Sequence, residues 1–388
     1  MITKIIFFRY LPLTHKVYSD FYMQELKNAG FCVEYWYLPF VIEVPKGIEY
    51  FEHNCIKVIP SYKDLDKNLK LEDREKTLFI SIQTYNADVI RLFWIMTKNQ
   101  CKLSVFGRNM IPINPISNTS KLERLKFNNL FRGISNKVAY YLKQWGIIKS
   151  YDVLFLSAET GINAYGYSTK REREFSKHIL VNGDDYDRAL SIKNGKRIID
   201  EDYIVFIDQC LPLHPDIGIC KIQAMNAGIY YNDLNMFFDR VELETGLKIV
   251  VAAHPKSLIY KQKDYFGGRR VVFGKTAELV RDSNLVLFHD STSVGYAVFF
   301  EKPVISLVSK AIEEGQKSSF HNILSFSKAL NSRLIYIDDY CLNKRECFLN
   351  NLYVDKSAYA RYKYRYLTNP ETEDTYSLQL VISGIKSL

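Results

Sequence analysis

The chain has 388 residues, of which 47% are hydrophobic and 24% are charged, and its formal net charge is +9. This length favours two domains, the composition is that of a folded globular protein, and no run of about 18 apolar residues indicates a transmembrane helix. The excess of Lys and Arg favours an anionic partner, such as nucleic acid, acidic lipid or a phosphorylated ligand, although it is as typical of a solubilising surface.

The first residues, MITKIIFFRYLPLTHK, contain a short apolar run that Arg9 interrupts, without a small-residue cleavage site. We therefore expect a first strand and not a signal peptide. The seven cysteines are scattered and form no CxxC pair, which argues against a zinc site. A cytoplasmic chain with reduced thiols is the simplest interpretation, and neither a metal nor another cofactor is expected.

Short apolar runs alternate with helical stretches, which is the pattern of an α/β protein with parallel sheets. In the first half the runs predict strands at 4–8, 31–38, 77–83, 102–107 and 152–158. Helices are predicted from about Tyr18 to Ala29, where Gly30 suits a C-cap, at about 87–98 and at about 120–147. The charged, turn-rich residues 170–202 predict a linker.

A second series of runs predicts strands at 203–209, 248–254, 271–273, 284–290, 303–308 and 333–337, with helices at about 219–245, 276–282 and 293–302. The expected fold class is therefore α/β, with two Rossmann-like domains facing across a cleft. The predicted divisions are an N-terminal domain at 1–185, a C-terminal domain at 186–340, and a basic, tyrosine-rich helical tail at 341–388 that packs back on the N-terminal domain.

Polar residues follow four strands of the second series, at the point where each strand ends. Open α/β sheets bind ligands at the carboxyl ends of their strands. The residues are Asp208, Gln209 and His214 after the first strand, His254 and Lys256 after the second, Gly274, Lys275 and Thr276 after the third, and Asp290, Ser291, Thr292 and Ser293 after the fourth. Helix capping explains any one of these sets, but their recurrence at successive strand ends predicts a site.

The chemistry of these residues suits a phosphate. Ser291–Ser293 open a predicted helix, whose first N–H groups and positive partial charge attract anions. His254 and Lys256, expected on a neighbouring strand, add positive charge or donate a proton, and Thr276 is expected to cap the next helix. The chain has no GxGxxG, GxxxxGK[ST] or GxSxG motif, which argues against a dinucleotide fold, a Walker loop and an α/β-hydrolase.

The order strand–HP, short helix, strand–DSTS, helix–KPVI resembles the C-terminal domain of bacterial GT-B glycosyltransferases of surface polysaccharides, in particular sialyl, polysialyl and Kdo transferases that use CMP-activated acidic sugars. The resemblance covers residues 203–308 by motif and the first domain in architecture only. It implies that His254 contacts and protonates the leaving phosphate, that Ser291, Thr292 and Ser293 bind the same phosphate, and that Phe273 and Gly274 lie beside the base. It also implies a nucleotide-sugar donor, a glycan or lipid-linked glycan acceptor, and transfer without a metal ion.

One part of the sialyltransferase pattern is missing. No Asp/Glu-Asp/Glu-Gly motif, which supplies the general base there, occurs in the first half, where Asp184 and Asp185 follow a Gly instead. The candidates for the base are therefore His15 after the first strand, Glu159 after the fifth, and Asp208. Each also has an ordinary structural explanation, such as a position beside the start of a helix.

A basic helix is predicted within residues 122–149, and from Arg124 to Lys149 the sequence has no Asp or Glu. Such a helix either packs its apolar face on the core or lies on anionic lipid, which would give a peripheral contact with the inner face of the membrane. That face is formed by Leu125, Leu130, Phe131, Ile134, Val138, Tyr141, Leu142 and Trp145.

The sequence favours a cytoplasmic glycosyltransferase of a bacterial surface glycan over three alternatives. One is a teichoic-acid-type transferase that moves a polyol phosphate from a CDP-polyol, since such enzymes also place histidines and a helix end on a phosphate. Another is a non-catalytic sugar-nucleotide sensor or an epimerase of the same fold. A nucleic-acid-binding module is the third, and no nucleic acid is expected, because the charge is spread over both halves and acidic segments such as IDEDY interrupt it.

Overall fold

The computed structural model describes residues 1–42, 50–112, 127–164, 168–214, 225–342, 348 and 352–388. By their internal contacts these residues form two units. The first contains the described residues of 1–110, 127–184 and 368–388, and the second contains those of 111–112 and 185–367. Within the described residues, no helix is both long and apolar enough to cross a membrane.

The first unit has a parallel sheet whose strands are β1 Lys4–Arg9, β2 Cys32–Tyr37, β3 Ile56–Val58, β4 Thr77–Ser81, β5 Lys102–Gly107, β6 Val153–Ser157 and β7 Lys177–Val181. Their order across the sheet is β3-β2-β1-β4-β5-β6-β7, which extends the Rossmann order by one strand. The helices up to this point are α1 His15–Asp20, α2 Met23–Asn28, α3 Tyr62–Leu69, α4 Ile90–Lys98, α5 Phe127–Gln144 and α6 Lys170–Phe175, with 3-10 turns at Ala87–Val89 and Glu159–Asn163.

The second unit has a parallel sheet of β8 Tyr203–Ile207, β9 Lys248–Ala253, β10 Val271–Phe273, β11 Leu285–Phe288, β12 Val304–Val308 and β13 Arg333–Tyr336. Their order, β10-β9-β8-β11-β12-β13, is that of a Rossmann sheet. The helices are α7 Asp184–Ile192, which begins at the boundary of the units, α8 Ala227–Thr245, α9 Thr276–Asp282, α10 Val294–Phe299, α11 Lys310–Gly315, α12 Lys317–Leu330, α13 Ile337–Leu342 and α14 Lys356–Tyr362. A 3-10 turn at Leu258–Lys261 and a π-helix at Lys363–Leu367 complete the unit.

Both sheets are covered by helices on their two faces. Every residue of β4, β6, β8 and β12 is buried, as expected for central strands of a parallel sheet. In the second unit one face of β8 contributes Ile204 and Phe206 to one apolar cluster, and the other face contributes Tyr203, Val205 and Ile207 to a second cluster. The continuous apolar runs in the sequence therefore reflect burial on both sides of the sheet.

A buried ion pair joins two helices of the first unit. Lys143 in α5 and Glu172 in α6 are in contact, and neither side chain is exposed to solvent. The ammonium group of Lys143 also lies 4.6 Å from the ring centroid of Tyr85 and 4.1 Å from that of Tyr151. Burial lowers the pKa of Lys143, and the carboxylate of Glu172 opposes this shift. With Thr169, Glu172 also forms the capping box that begins α6.

Two strands, β3 and β7, are absent from the predicted set. Both lie at the edges of the first sheet and are partly exposed, so they lack the continuous apolar run of a central strand. The predicted linker at 170–202 contains the boundary between the two units, at residues 184 and 185, but it is not a loop, because the stretch forms α6, β7 and α7. Its charges lie on exposed faces of regular elements: Lys177 and His178, for example, are the exposed start of β7.

Several predicted helices have different bounds. The single helix predicted after Tyr18 is divided into α1 and α2, because Tyr22 adopts a left-handed φ of 54° between them. The helix predicted at 293–302 ends at Phe299, and those predicted at 219–245 and 120–147 correspond to α8 and α5. Residues 219–224 and 120–126 of the last two predictions lie outside the described residues.

The predicted C-terminal tail is divided between the two units. Its described residues up to Leu367 belong to the second unit, and residues 368–388 belong to the first. There the last helix, α15 Ser377–Lys386, packs beside β7. Buried Asn182 ties this segment down: its backbone N–H donates to Ser377 Oγ at 2.8 Å, and its Oδ1 accepts from the hydroxyl of Thr368 at 2.6 Å.

Candidate functional site

The carboxyl ends of β10, β9, β8 and β11 lie in that order along one edge of the second sheet. All four predicted sets of polar residues follow these strand ends. The expectation that His254 and Ser291 come from neighbouring strands is wrong, since β8 lies between β9 and β11. The first strand of a Rossmann sheet takes the central position, so Asp208 and Gln209, which follow β8, stand in the middle of the edge.

Asp208 is held inside this edge and is only 2% exposed. The chain turns sharply after it, because Cys210 adopts a left-handed φ of 54° and donates its N–H to Asp208 Oδ1 at 3.0 Å. Burial raises the pKa of Asp208 to about 6, and hydrogen bonds from the backbone of Cys210, the hydroxyl of Tyr260 and the backbone of His254 oppose the shift.

His254 follows β9 directly and is half-buried. A tight turn fixes it: the backbone N–H of Lys256 donates to His254 Nδ1 at 3.2 Å, and the hydroxyl of Ser257 donates to the His254 carbonyl at 2.6 Å. With Nδ1 as an acceptor, the neutral ring carries its proton on Nε2. The ring of His214 lies close, with the two ring centroids 4.9 Å apart, and the side chain of Lys256 is exposed.

The end of β11 is joined to the middle of the edge through Asp290. Its backbone N–H donates to Gln209 Oε1 at 3.0 Å, and its Oδ2 accepts from the amide of Asn322 at 3.2 Å. Burial raises the pKa of Asp290, while the hydrogen bonds from Asn322 and Gln209 lower it. Gln209 thus connects the ends of β8 and β11, which are neighbouring strands of the sheet.

Ser291, Thr292 and Ser293 form the turn between Asp290 and α10. Ser291 and Ser293 are half-buried, Thr292 is exposed, and the Ser293 N–H donates to Ser291 Oγ at 3.2 Å. The helix that follows is only the six residues Val294–Phe299, with Ser293 as its N-cap residue. The three hydroxyl residues are therefore at a helix start, as predicted, although the helix is shorter than predicted.

The end of β10 carries the remaining predicted residues. Gly274 has a left-handed φ of 67°, which lets the chain turn away from the sheet after Phe273. The expectation that Thr276 caps α9 is wrong: the N-cap residue is Lys275, without a side-chain bond to the helix, and Thr276 is the first helical residue. The ammonium of Lys261 lies 5.3 Å from the Phe273 ring centroid.

The two base candidates of the first unit both lie at the carboxyl edge of its sheet and are exposed. The ring of His15 packs on Phe51 with 3.8 Å between ring centroids, and Glu159 begins the 3-10 turn after β6. β1 and β6 are three strand spacings apart, about 14 Å, so the two candidates come from different parts of this edge. Asp184, by contrast, is paired with Arg108 at 2.8 Å.

Tyr260 and Asn322 contact the site but were not among the predicted residues. Each comes from a segment outside the strand ends, the 3-10 turn Leu258–Lys261 and α12, and no local pattern distinguishes them from other buried or half-buried polar residues. Among the described residues, no group of three or more His, Cys, Asp or Glu side chains is placed to hold a metal ion.

No protein-family model matches the chain, and no curated protein sequence matches it. Solved structures do match its fold. The wall teichoic acid polymerase TagF has a TM-score of 0.54 at 11% identity, covering 99% of this chain and 89% of that one. MurG from Acinetobacter baumannii has a TM-score of 0.50 at 8% identity, covering all of both chains. The UDP-GlcNAc 2-epimerase from Methanocaldococcus jannaschii has a TM-score of 0.48 at 11% identity, also over all of both chains.

At such identities the first two likenesses show the fold alone. The chain has an α/β fold of two Rossmann-like domains with parallel sheets, in the GT-B class to which TagF and MurG belong. This confirms the predicted α/β fold class of two Rossmann-like domains, and a fold of this kind is shared by enzymes of different activity.

Proposed function

We propose that this protein is a glycosyltransferase that moves a sugar from a nucleotide donor to a growing bacterial surface glycan. The observation that carries the proposal is the group of His254, His214 and Asp208 at the ends of β8 and β9. Ligands of open α/β sheets bind at this edge, and the group combines a fixed imidazole with a buried carboxyl group whose pKa is raised by burial.

The proposed role of His254 follows from the needs of the reaction. When the bond between the sugar and the nucleotide breaks, negative charge develops on the leaving phosphate, and preorganised donors at that oxygen stabilise the transition state. The turn that bonds His254 Nδ1 leaves Nε2 as the protonated nitrogen, which is the form that donates to a phosphate oxygen. Lys256, two residues on, supplies positive charge, and in our proposal no metal ion is needed.

The remaining residues of the edge are proposed to hold the nucleotide. Gln209, between the ends of β9 and β11, and the hydroxyl groups of Ser291, Thr292 and Ser293 are donors for phosphate oxygens. Phe273 and Gly274 at the end of β10 would lie beside the base, with Thr276 nearby. Asp290 supports Gln209 through its backbone N–H and so orients the amide.

The acceptor hydroxyl needs a base in an inverting reaction. We propose His15 or Glu159, since both are exposed at the carboxyl edge of the first sheet, whereas Asp208 is enclosed and is placed to support the turn at His254. For the donor we propose a CMP-activated acidic sugar, such as a nonulosonate or Kdo, and for the acceptor a glycan or lipid-linked glycan on the cytoplasmic side of the membrane.

A second candidate has an observation in its favour. The His214–His254 pair and the fold shared with the wall teichoic acid polymerase TagF suit transfer of a polyol phosphate from a CDP-polyol. In that reaction the bond that breaks lies between two phosphorus centres, and two adjacent imidazoles can serve the attacking hydroxyl and the leaving CMP in turn.

The test begins with a thermal-shift panel of CMP, CDP, UDP, GDP and dTDP, because a ligand that binds only the folded state raises the melting temperature. Donors of the nucleotide that binds are then incubated with acceptor glycans, and the acceptor mass is measured. Gain of a sugar residue supports the first proposal, and gain of a polyol phosphate supports the second. A donor sugar that changes configuration without an acceptor indicates an epimerase, and a panel without any shift would contradict all of these enzymes.

A further inference from the structure

The helix α5 has one face fixed on the first unit. Ala139 and Lys143 are completely buried on this inner face. The hydroxyl of Tyr85 donates to the Ala139 carbonyl at 2.9 Å, and Asn136 Oδ1 accepts the backbone N–H of Ala87 at 3.0 Å. The inner face is therefore partly polar and is satisfied by hydrogen bonds and by the Lys143–Glu172 ion pair.

The opposite face of α5 is apolar and exposed. Its members recur every three or four residues, so they form one ridge about 21 Å long. They are Phe131, Ile134, Val138, Tyr141 and Trp145, with exposed fractions of 65, 54, 50, 48 and 68%. Five of the eight residues predicted for the apolar face are therefore exposed, whereas Leu142 packs on the core of the first unit, and the side chains of Leu125 and Leu130 lie outside the described residues. A contiguous exposed ridge of this kind on a folded protein indicates a contact surface.

The surroundings of the ridge favour an anionic lipid surface. From Arg124 to Lys149 the sequence contains no acidic residue, and Lys137, which is one turn from Ile134 and Tyr141 on the helix, is exposed. Tyr141 and Trp145, with ring centroids 5.4 Å apart, are the aromatic types that favour the boundary between acyl chains and headgroups. We propose that this ridge lies in the interface of an anionic bilayer, with the ammonium group of Lys137 beside it on the lipid headgroups.

A second copy of the chain is the competing occupant. Two ridges packed together would bring Lys137 of both copies close, and the helix carries no acidic residue from Phe131 to Trp145 to offset this charge. Anionic lipid both covers the apolar side chains and neutralises these charges, so it fits the surface better. The inference does not depend on the donor nucleotide and goes beyond the proposed transferase activity.

The experiment is flotation of the full chain with vesicles of phosphatidylcholine alone or with about one third phosphatidylglycerol. We expect binding to the anionic vesicles only, weakened by high salt. Phe131→Ser with Trp145→Ser should lower the vesicle partition coefficient by at least about tenfold, since two large apolar side chains lose their burial. Trp94→Ser is the matched control, because Trp94 is 49% exposed on α4 of the same unit.

The charge contribution has its own pair of variants. Lys137→Glu should reduce binding to anionic vesicles several-fold, and Lys67→Glu, an exposed position on α3, should not. Circular dichroism confirms folding of each variant. The inference is overturned if neutral and anionic vesicles bind equally, if the double variant still floats, or if light scattering shows a dimer that the double variant abolishes.

Discussion

Two histidines each follow a strand of the second sheet directly, and their surroundings differ completely. His289, after β11, is fully buried: its Nδ1–H donates to the Leu307 carbonyl at 2.8 Å, and its Nε2 accepts from the hydroxyl of Tyr230 at 2.9 Å. Burial lowers its pKa to about 4. His254, after β9, is half-buried and stands beside His214.

A histidine that directly follows a strand can therefore either stabilise the core or remain accessible at the edge of the sheet. The ring of His289 is part of the core, where both of its nitrogens form hydrogen bonds to neighbouring elements. The other ring is held by a turn of its own segment and lies among the polar residues of the sheet edge. The same substitution at the two positions should therefore have opposite consequences.

The largest expected effect is that of His254→Ala on turnover. Loss of the proposed hydrogen-bond donor to the leaving phosphate should lower kcat about 10²- to 10³-fold with the donor identified by the nucleotide panel. The melting temperature should change by no more than about 2 °C, because the ring is at the edge of the unit. Steady-state kinetics and a thermal melt on the same sample check this, and a folded variant with near-normal kcat would remove His254 from the mechanism.

His289→Ala should act on stability instead. It leaves a cavity and takes the partner from the buried hydroxyl of Tyr230, so the free energy of unfolding should fall by about 2–4 kcal/mol. Urea denaturation measures this loss. Tyr230→Phe is the milder companion, which removes only the hydrogen bond, with an expected cost of about 1–2 kcal/mol. Equal stabilities of His254→Ala and His289→Ala would contradict the view that only His289 stabilises the core.

Asp208→Asn should change how the free energy of unfolding depends on pH. The pKa of Asp208 is raised from 3.8 to about 6 in the folded protein, so the stability that its protonated form provides is lost as the pH rises through this range. The neutral amide avoids this loss. Relative to wild type, the variant should gain about 2–3 kcal/mol between about pH 4 and pH 7.5. Denaturation at both pH values tests it, with exposed Asp200→Asn as the control that should show no such trend.

The smallest expected effect is that of Ser291→Ala combined with Ser293→Ala. Ser291 lies two residues after His289, in the turn that follows β11. At this strand end we therefore expect the turn, and not His289, to contribute to function. We expect nucleotide affinity to weaken about five- to tenfold, as for the loss of one or two hydrogen bonds. Calorimetry with the nucleotide that binds measures it against exposed Ser318→Ala on α12, and an unchanged affinity would exclude the turn from the phosphate site.

The central strands could be predicted from the sequence because burial on both faces makes them continuous apolar runs. The edge strands β3 and β7 could not, since partial exposure removes that pattern. The residues at strand ends were likewise predictable as a set. Their neighbours were not, because strand order is a tertiary property, and nothing in the sequence places β8 between β9 and β11.

Burial of single side chains is the other part that local sequence does not contain. HP after β9 and HD after β11 are both short polar exits from apolar runs, and only the packing of Tyr230 and Leu307 distinguishes His289 as a core residue. In α5 the apolar face was evident from the spacing, but whether it pointed towards or away from the core depends on partners as distant in sequence as Tyr85.

The buried Lys143–Glu172 pair fixes which face of α5 points towards the core of the first unit. Turning the helix by half a revolution would take the ammonium out of its enclosure and leave Glu172 buried without its cation, at a cost of about 3–5 kcal/mol. The ion pair therefore opposes rotation of α5 about its axis, and the ridge from Phe131 to Trp145 faces solvent even without a binding partner.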